Sequence, residues 1–145
     1  KKHLLAEDEE GATNIVPADF DGDGHVDFVA TRGHGKGVLW FRGPDFKQIE
    51  IDLEIEFPHS LAVADINGDG YLDAVTCGKE VNGVAAWYEN EGDGEFVKHV
   101  IGYNQGSYDL TTVDMDGDGD LDVLIAGHAS RNLVWFQNPF VKTQQ

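Results

Sequence analysis

Three short segments of the chain combine closely spaced carboxylates with glycine in one shared pattern. They begin at Asp19, Asp65 and Asp114, and each reads Asp-x-Asp/Asn-Gly-Asp-Gly-x-x-Asp. Side-chain oxygens therefore stand at positions 1, 3, 5 and 9, and the glycine at position 6 permits a sharp turn. Because Ca²⁺ binds about six to eight oxygens, the pattern predicts one Ca²⁺ site in each segment. The predicted ligands are Asp19, Asp21, Asp23, Asp27, Asp65, Asn67, Asp69, Asp73, Asp114, Asp116, Asp118 and Asp122.

The donor set of these segments favours calcium over other common cations. Magnesium requires stricter octahedral geometry, and zinc prefers nitrogen or sulfur ligands, which the segments lack. A helix–loop–helix calcium site is excluded, since its position 12 is Glu whereas these segments have Ala, Thr or Ile there. Solvated acidic turns are the alternative, because Asp and Gly are frequent in turns. Asn67 replaces a carboxylate, so the second site is expected to be the weakest.

The three segments are part of a longer repeat. Their first residues are 46 and 49 residues apart, close to the roughly 45 residues of a four-stranded propeller blade. Apolar runs bounded by Gly, Asn and Asp surround each segment, and no stretch has helical periodicity. The chain is therefore predicted to be all-β, with blades of four antiparallel strands. The predicted strands are 15–18, 28–30, 38–41, 46–51, 61–64, 74–76, 84–88, 96–101, 110–113, 123–126 and 133–136.

The domain prediction is a single propeller segment over residues 1–145. Residues 1–6 resemble the fourth strand at 97–101 and are predicted to close a blade; repeats follow at 12–57, 58–106 and 107–145, the last incomplete. Closed propellers usually have about four to eight blades. Three repeats therefore predict part of a larger propeller, with a ring assembled from several copies as the alternative.

These repeats resemble FG-GAP/VCBS-type repeats, the calcium-loop blades of integrin α-subunit propellers and many secreted microbial proteins. The resemblance covers nearly the whole chain, and the three acidic segments are its specific part. It implies that each segment joins the first and second strands of a blade. It also implies that the twelve ligands above hold mainly structural calcium.

A second group of polar residues is expected at the opposite end of the blades. Strand alternation places the entries to the first strands and the second-to-third connections there, and loops on a rigid scaffold often carry function. The candidate catalytic residues are His59, Tyr108 and Asp109, and the candidate ligand-binding residues are Asn14, Arg32, His34, His128 and Arg131. The histidines could hold a transition metal, or His and Tyr could act as acid and base. Alternatively, the histidines only hydrogen-bond neighbouring blades.

Two functions are compatible with these residues. The first is a calcium-stabilised propeller that binds a carbohydrate or protein ligand in an extracytoplasmic protein. The second is the propeller portion of a sugar-acting carbon–oxygen lyase, similar to polysaccharide lyases or aldos-2-ulose dehydratase, with its site at the channel mouth. No G-x-S-x-G motif and no phosphate-binding loop is present, which argues against hydrolases and nucleotide-dependent enzymes.

The composition and the calcium loops disfavour some classes of partner and favour one cellular location. The 145 residues include 10 Lys and Arg against 27 Asp and Glu, a net charge of −17, which disfavours nucleic acid. No apolar run reaches the roughly 18–20 residues that a membrane span needs, so membrane insertion is not expected. Neither an initiator Met nor a signal peptide is visible, so a processed segment is expected. Calcium loops in extracellular modules bind with a Kd of roughly 10⁻⁴–10⁻³ M, which favours an extracellular or cell-surface setting.

Overall fold

The computed structural model describes residues 1–7 and 11–139, and these residues form eleven β-strands and no helix. Runs of Val, Ile, Leu and aromatic residues form the strands, and Gly, Asp and Asn end them. The strands are β1 Ala12–Ala18, β2 Asp27–Arg32, β3 Lys36–Arg42, β4 Lys47–Glu56, β5 Pro58–Ala64, β6 Asp73–Gly78, β7 Val84–Asn90, β8 Phe96–Tyr103, β9 Asp109–Val113, β10 Asp122–Gly127 and β11 Asn132–Phe136. Within the described part of the chain, no helix is long and apolar enough to span a membrane.

The strands form three antiparallel sheets that follow one another along the chain. Their orders are β1-β2-β3-β4, β5-β6-β7-β8 and β9-β10-β11, so each strand pairs with its neighbour in sequence. The first strands β1, β5 and β9 lie side by side, and the sheets stack face to face. The all-β prediction is confirmed, and the arrangement is that of consecutive propeller blades. All eleven strands predicted between residues 15 and 136 are present, most of them longer than predicted.

Residues 1–6 form no strand in this structure, so their role in closing a blade stays a prediction. Residues 1–6 are irregular, and Ala6 packs on Phe28 and Leu39 on the outer side of the first sheet. A strand needs a free edge with which to exchange backbone hydrogen bonds. The third sheet, which has three strands, ends at β11 and is separated from this segment by the second sheet.

Alternation along the third strand of each blade builds the core between the sheets. Trp40 packs against the second sheet, and Trp87 packs against the third. The next residue points the other way, so Tyr88 faces the first sheet and Phe136 the second. Trp135 has the same position in the third sheet, but its side chain is 41% exposed. The tryptophans at the first two positions therefore pack between blades.

Two asparagines link neighbouring blades through buried hydrogen bonds. Asn90 Nδ2 donates to the carbonyl of Phe20 in the first blade (2.9 Å) and to Leu72 O (3.2 Å). Asn138 Nδ2 similarly donates to Ile66 O in the second blade (2.7 Å). Buried carbonyls of the acidic segments thus find donors in the following blade, which fixes the two blades in register.

A carboxylate between the outer strands adds a further link. Asp52 on β4 accepts hydrogen bonds from Tyr88 Oη (2.6 Å) and Lys98 Nζ (2.7 Å) of the second blade. Burial raises the pKa of Asp52, but hydrogen bonds from Lys98 and Tyr88 outweigh burial and hold this pKa below its ordinary value. Asp52 is therefore charged at neutral pH and holds the outer edges of the two blades together.

The Asn90→Ala variant should be destabilised by about 2 kcal/mol, because two buried carbonyls lose their donor. Thermal and urea unfolding followed by circular dichroism measure this loss. Asn82→Ala is the matched control, since Asn82 is exposed and its variant should unfold within about 0.5 kcal/mol of the parent. Equal stability of the two variants would contradict a linking role for Asn90.

Candidate functional site

Three acidic loops connect the first and second strands of the blades, as the sequence predicts. We call them loop 1 (residues 19–27), loop 2 (65–73) and loop 3 (114–122). Their glycines at positions 4 and 6 have positive φ, for example 70° at Gly22 and 84° at Gly24. A Cβ at either of these two residues would meet nothing within 4 Å, so glycine is required by the backbone conformation and not by space.

The loops share one ladder of hydrogen bonds from backbone to carboxylate. The residue at position 1 accepts the amide of position 6, at 3.0 Å for Asp19 and 3.1 Å for Asp65 and Asp114. Positions 3 and 5 each accept the amide two residues later in all three loops. The polypeptide alone therefore curls each loop so that its carboxylates face inward.

The aspartate at position 9 has a second role, which is structural. Asp27, Asp73 and Asp122 are at most 1% exposed, and each accepts one backbone amide on each oxygen. Asp27, for example, accepts Phe20 N (3.0 Å) and Gly43 N (2.7 Å), which joins loop 1 to the end of β3. Burial raises the pKa of Asp73 to about 6, although the two amides lower it. The aspartate at position 9 therefore attaches each acidic loop to its blade.

Carboxylates from positions 1, 3 and 9 converge in two of the three loops. One oxygen from each of Asp19, Asp21 and Asp27 lies within 4.8 Å of the others, and the same positions converge in loop 3. In loop 2 the third position is Asn67, whose Nδ2 donates to Asp69 Oδ2 at 2.9 Å. Position 5 is outside the two converging groups, so the structure gathers three of the four predicted ligands of loops 1 and 3.

In loop 3, the carboxylate of Asp120 is a hydrogen-bond acceptor that meets no donor among the described residues. Asp120 is 2% exposed, and neither of its oxygens accepts a hydrogen bond from a donor in the described residues. Burial raises its pKa, and the neighbouring Asp118 carboxylate raises it further. A buried carboxylate without donors, next to other carboxylates, fits a hard cation such as Ca²⁺. The all-oxygen donor set of the three loops fits the same ion.

A further position that contacts the loops does not stand out in the sequence. It lies two residues after the tryptophan of each third strand and is occupied by Arg42, Glu89 and Gln137. Each of these side chains reaches position 3 of its own loop, at 2.5, 2.8 and 2.5 Å respectively. Only alignment of the repeats on their tryptophans could have indicated this position, because its three residues differ in charge.

At the opposite end of the blades, four predicted residues form one row of rings. The centroids of His34 and His59 are 5.2 Å apart, and those of His59 and Tyr108 are 4.9 Å apart. Tyr108 in turn lies 4.7 Å from His128. The row crosses all three blades, since His34 belongs to the first, His59 to the second and the other two to the third. We call these four residues the ring row.

His59 is the most enclosed member of the ring row. Its Nε2 is buried without a hydrogen-bond partner among the described residues, while Asn14 Nδ2 donates to its carbonyl at 3.5 Å. Burial lowers the pKa of His59, and the neighbouring Lys79 and His34 lower it further. The imidazole is therefore neutral at physiological pH and can exchange a proton or accept a hydrogen bond.

The remaining predicted residues of this end do not all join the ring row. Asp109 lines a shallow depression with Leu124 and Leu133 on the outer side of the third sheet. Arg32 lines the outer side of the first sheet, and Arg131 is exposed in the turn before β11. In the described residues, the groups of three side chains close enough to share a metal are those of loops 1 and 3. The histidines do not form such a group, because Tyr108 lies between His59 and His128.

Comparison with known proteins agrees with this architecture. A family model described as FG-GAP-like repeat matches residues 19–76 and 77–139. The chain belongs to the FG-GAP-like repeat family. The resemblance noted from the three acidic segments is therefore confirmed. FG-GAP-like repeats build integrin-like β-propeller modules for ligand binding and are typical of extracellular or surface proteins.

One curated relative of this FG-GAP-like chain is a T-cell immunomodulatory protein homolog from Plasmodium falciparum (isolate 3D7). The two are 32% identical over 128 residues, which cover 80% of the chain. The aligned region is 18% of the length of the relative. The similarity thus concerns the repeat region and not the relative as a whole.

The Asp27→Asn variant should be destabilised by about 2–4 kcal/mol even in the presence of a chelator, because one amide donor would then face another donor. Both oxygens of Asp27 accept an amide, so neither orientation of the new side chain avoids the conflict. Thermal unfolding in chelator measures the loss. Asp23→Asn is the matched control within loop 1: Asp23 is exposed, and its variant should lose about 1 kcal/mol or less. A similar loss in both variants would argue against the structural role of position 9.

Proposed function

We propose that the chain is a calcium-stabilised β-propeller module that binds a carbohydrate or protein ligand in an extracytoplasmic protein. The observation that carries the proposal is the convergence of carboxylates at positions 1, 3 and 9 of loops 1 and 3. Uncompensated carboxylates at these distances repel one another, and Ca²⁺ would offset the repulsion. Calcium is abundant outside cells, where sites of modest affinity fill.

In this proposal, residues of this chain hold the ion in a scaffold that already exists. The amides of each loop orient positions 1, 3 and 5, and the buried aspartate at position 9 connects the ion to the blade. The ligands would be those predicted from the sequence, with Asp120 as an additional negative charge in loop 3. A bound ion would supply charge neutralisation and would tie the first strand of each blade to the second.

The proposed ligand surface is the ring row. His34, His59, Tyr108 and His128 present polar edges and apolar faces, a combination that suits sugar rings and peptide groups. Backbone hydrogen bonds support this end, from Gly33 N to Gly11 O within the first blade and from Ser107 N to Gly78 O between the third and second blades. Because three blades contribute to the row, its shape depends on the register that the asparagines fix between blades.

A second candidate function is a carbon–oxygen lyase that acts on a carbohydrate. It is favoured by the neutral imidazole of His59, whose Nε2 is buried beside the ring of Tyr108 without a partner in the described residues. A neutral imidazole could remove a proton next to a carboxylate or carbonyl, and a phenol could protonate the leaving oxygen. Asp109 has no part in this arrangement because it lies on the outer side of the third sheet.

We also propose that further blades cover the two outer sheet faces. Trp135 and Leu133 are 41% and 81% exposed on the outer side of the third sheet, at the positions that face the next blade in the first two. On the opposite outer side, Ile15 is 57% exposed next to the stacked pair of Phe28 and Phe41, whose centroids are 4.6 Å apart. Blades from the parent protein or from another copy would bury these faces, since propeller blades bury their apolar surface against neighbours.

Calcium should raise the melting temperature of the chelator-treated protein, because an ion that binds only the folded state stabilises it. Magnesium at the same concentration should have much less effect, since it prefers octahedral geometry and retains its water. Differential scanning calorimetry with stepwise addition of either chloride salt measures both effects. Identical melting curves in chelator and in millimolar calcium would refute the calcium proposal.

Tyr108→Ala should weaken binding to any glycan that the parent protein recognises on a glycan array by about tenfold, because the centre of the ring row is lost. Tyr103→Ala is the matched control, since Tyr103 is 65% exposed and lies outside the row. Mass spectrometry of the bound glycans separates the two candidate functions: intact glycans support binding alone, and loss of water or chain cleavage with a new double bond supports the lyase. Equal effects of both substitutions would place the ligand elsewhere.

A further inference from the structure

We propose that the residue two positions after each tryptophan sets the calcium affinity of the adjacent loop, and that loop 1 is consequently the weakest site. This inference rests on the proposed calcium binding and concerns Arg42, Glu89 and Gln137, which lie outside the acidic loops. It reverses the ranking expected from the loop sequences alone, in which Asn67 makes loop 2 the weakest.

In loop 1, Arg42 brings a positive charge to the ligands. Its Nε lies 2.5 Å from Asp21 Oδ2, and its guanidinium also comes within 4.0 Å of Asp23 Oδ2. The guanidinium carbon lies 5.9 Å from the centroid of the Trp40 ring, a cation–π contact that holds the arginine near the loop. A calcium ion in loop 1 must either displace this arginine or bind next to a like charge, and both lower its affinity.

In loop 2, Glu89 adds a carboxylate next to Asn67, the residue that replaces an aspartate. Glu89 Oε1 accepts a hydrogen bond from Asn67 Nδ2 at 2.8 Å, and Glu89 Oε2 lies 2.7 Å from His99 Nε2. The His99 ring stacks on Trp87 with centroids 4.3 Å apart, so the histidine that orients Glu89 is itself fixed. Loop 2 therefore keeps four acidic groups, three within the loop and one on β7.

In loop 3, Gln137 is neutral and leaves the charge of the loop unchanged. Its Nε2 donates to Asp116 Oδ2 at 2.5 Å, which positions that carboxylate without neutralising it. Asp120 adds a fifth carboxylate to the loop. Since affinity for Ca²⁺ rises with the charge of the ligand set, we expect loop 3 to bind most tightly, followed by loop 2 and then loop 1.

The test is calcium titration by isothermal calorimetry of the chelator-treated 145-residue chain and its variants. Arg42→Gln should tighten the weakest of the resolved sites by about tenfold, and Glu89→Gln should weaken a different site by about tenfold. Arg131→Gln and Glu80→Gln are matched controls, because each makes the same change of net charge at the opposite end of the blades. They should change each affinity by less than about twofold, since salt screens distant exposed charges.

Terbium luminescence assigns the effects to individual loops. Tyr71 occupies position 7 of loop 2, where loops 1 and 3 have His25 and Asp120. Among the residues of the three acidic loops, Tyr71 is the one tyrosine. The part of the sensitised emission that is lost in Tyr71→Phe therefore reports on loop 2. Glu89→Gln should raise the terbium concentration at which this Tyr71-dependent emission appears, and Arg42→Gln should leave that concentration unchanged. Melting in chelator verifies that each variant is folded.

The outcomes separate this inference from the proposal on which it rests. If the parent chain binds no calcium up to millimolar concentrations, the calcium proposal fails and the ranking fails with it. If the parent chain binds calcium but Arg42→Gln and Glu89→Gln behave like their controls, the ranking is overturned while the calcium proposal stands. Opposite shifts in the two variants, with the terbium signal following Glu89 alone, support the inference.

Discussion

The buried aspartate at the end of each acidic loop is the constraint on which the rest of the structure depends. Each of Asp27, Asp73 and Asp122 satisfies one amide at the start of its loop and another at the end of the third strand. Without this carboxylate, both amides would be buried without an acceptor, and the loop would lose its attachment to the blade. In loops 1 and 3 the same group also completes the convergent oxygens, so stability and the proposed calcium binding share one side chain.

The linkage between blades follows from the same geometry. Asp73, at position 9 of loop 2, accepts the amide of Asn90 at the end of β7. This bond places Asn90 so that its side chain reaches the carbonyl of Phe20 in the preceding blade. The equivalent bond from Asn138 to Ile66 joins the second and third blades. Tryptophans fill the apolar space between the sheets, while the asparagines determine how far one sheet is displaced along the next. These hydrogen bonds between blades also set the alignment of the ring row at the other end of the blades.

The sequence predicts those features that repeat, and it predicts less where one copy departs from the others. The strands and loops recur three times, so their positions follow from spacing, and the contact between His59 and Tyr108 follows from strand alternation. The charges at Arg42 and Glu89 differ between blades, so no pattern indicated that they reach the loops. Residues 1–6 resemble a strand, but a strand also requires a partner edge, which local sequence does not encode. Asp109 follows Tyr108 directly, but it begins β9 and lies on the outer side of the third sheet, whereas Tyr108 lies in the connection before the strand.

The two outer faces of this stack of sheets are different from each other. One presents Trp135 and Leu133, and the other presents Ile15 beside the buried pair Phe28 and Phe41. Contacts between unlike faces are head-to-tail, and they give the assembly a direction, as in a filament with two distinguishable ends. Such an assembly stops growing only when the rotations between successive sheets add up to a full turn, so that the last outer face meets the first. The angle between neighbouring blades, set by the asparagine bonds and the tryptophan packing, thus decides between a closed ring and an open polymer.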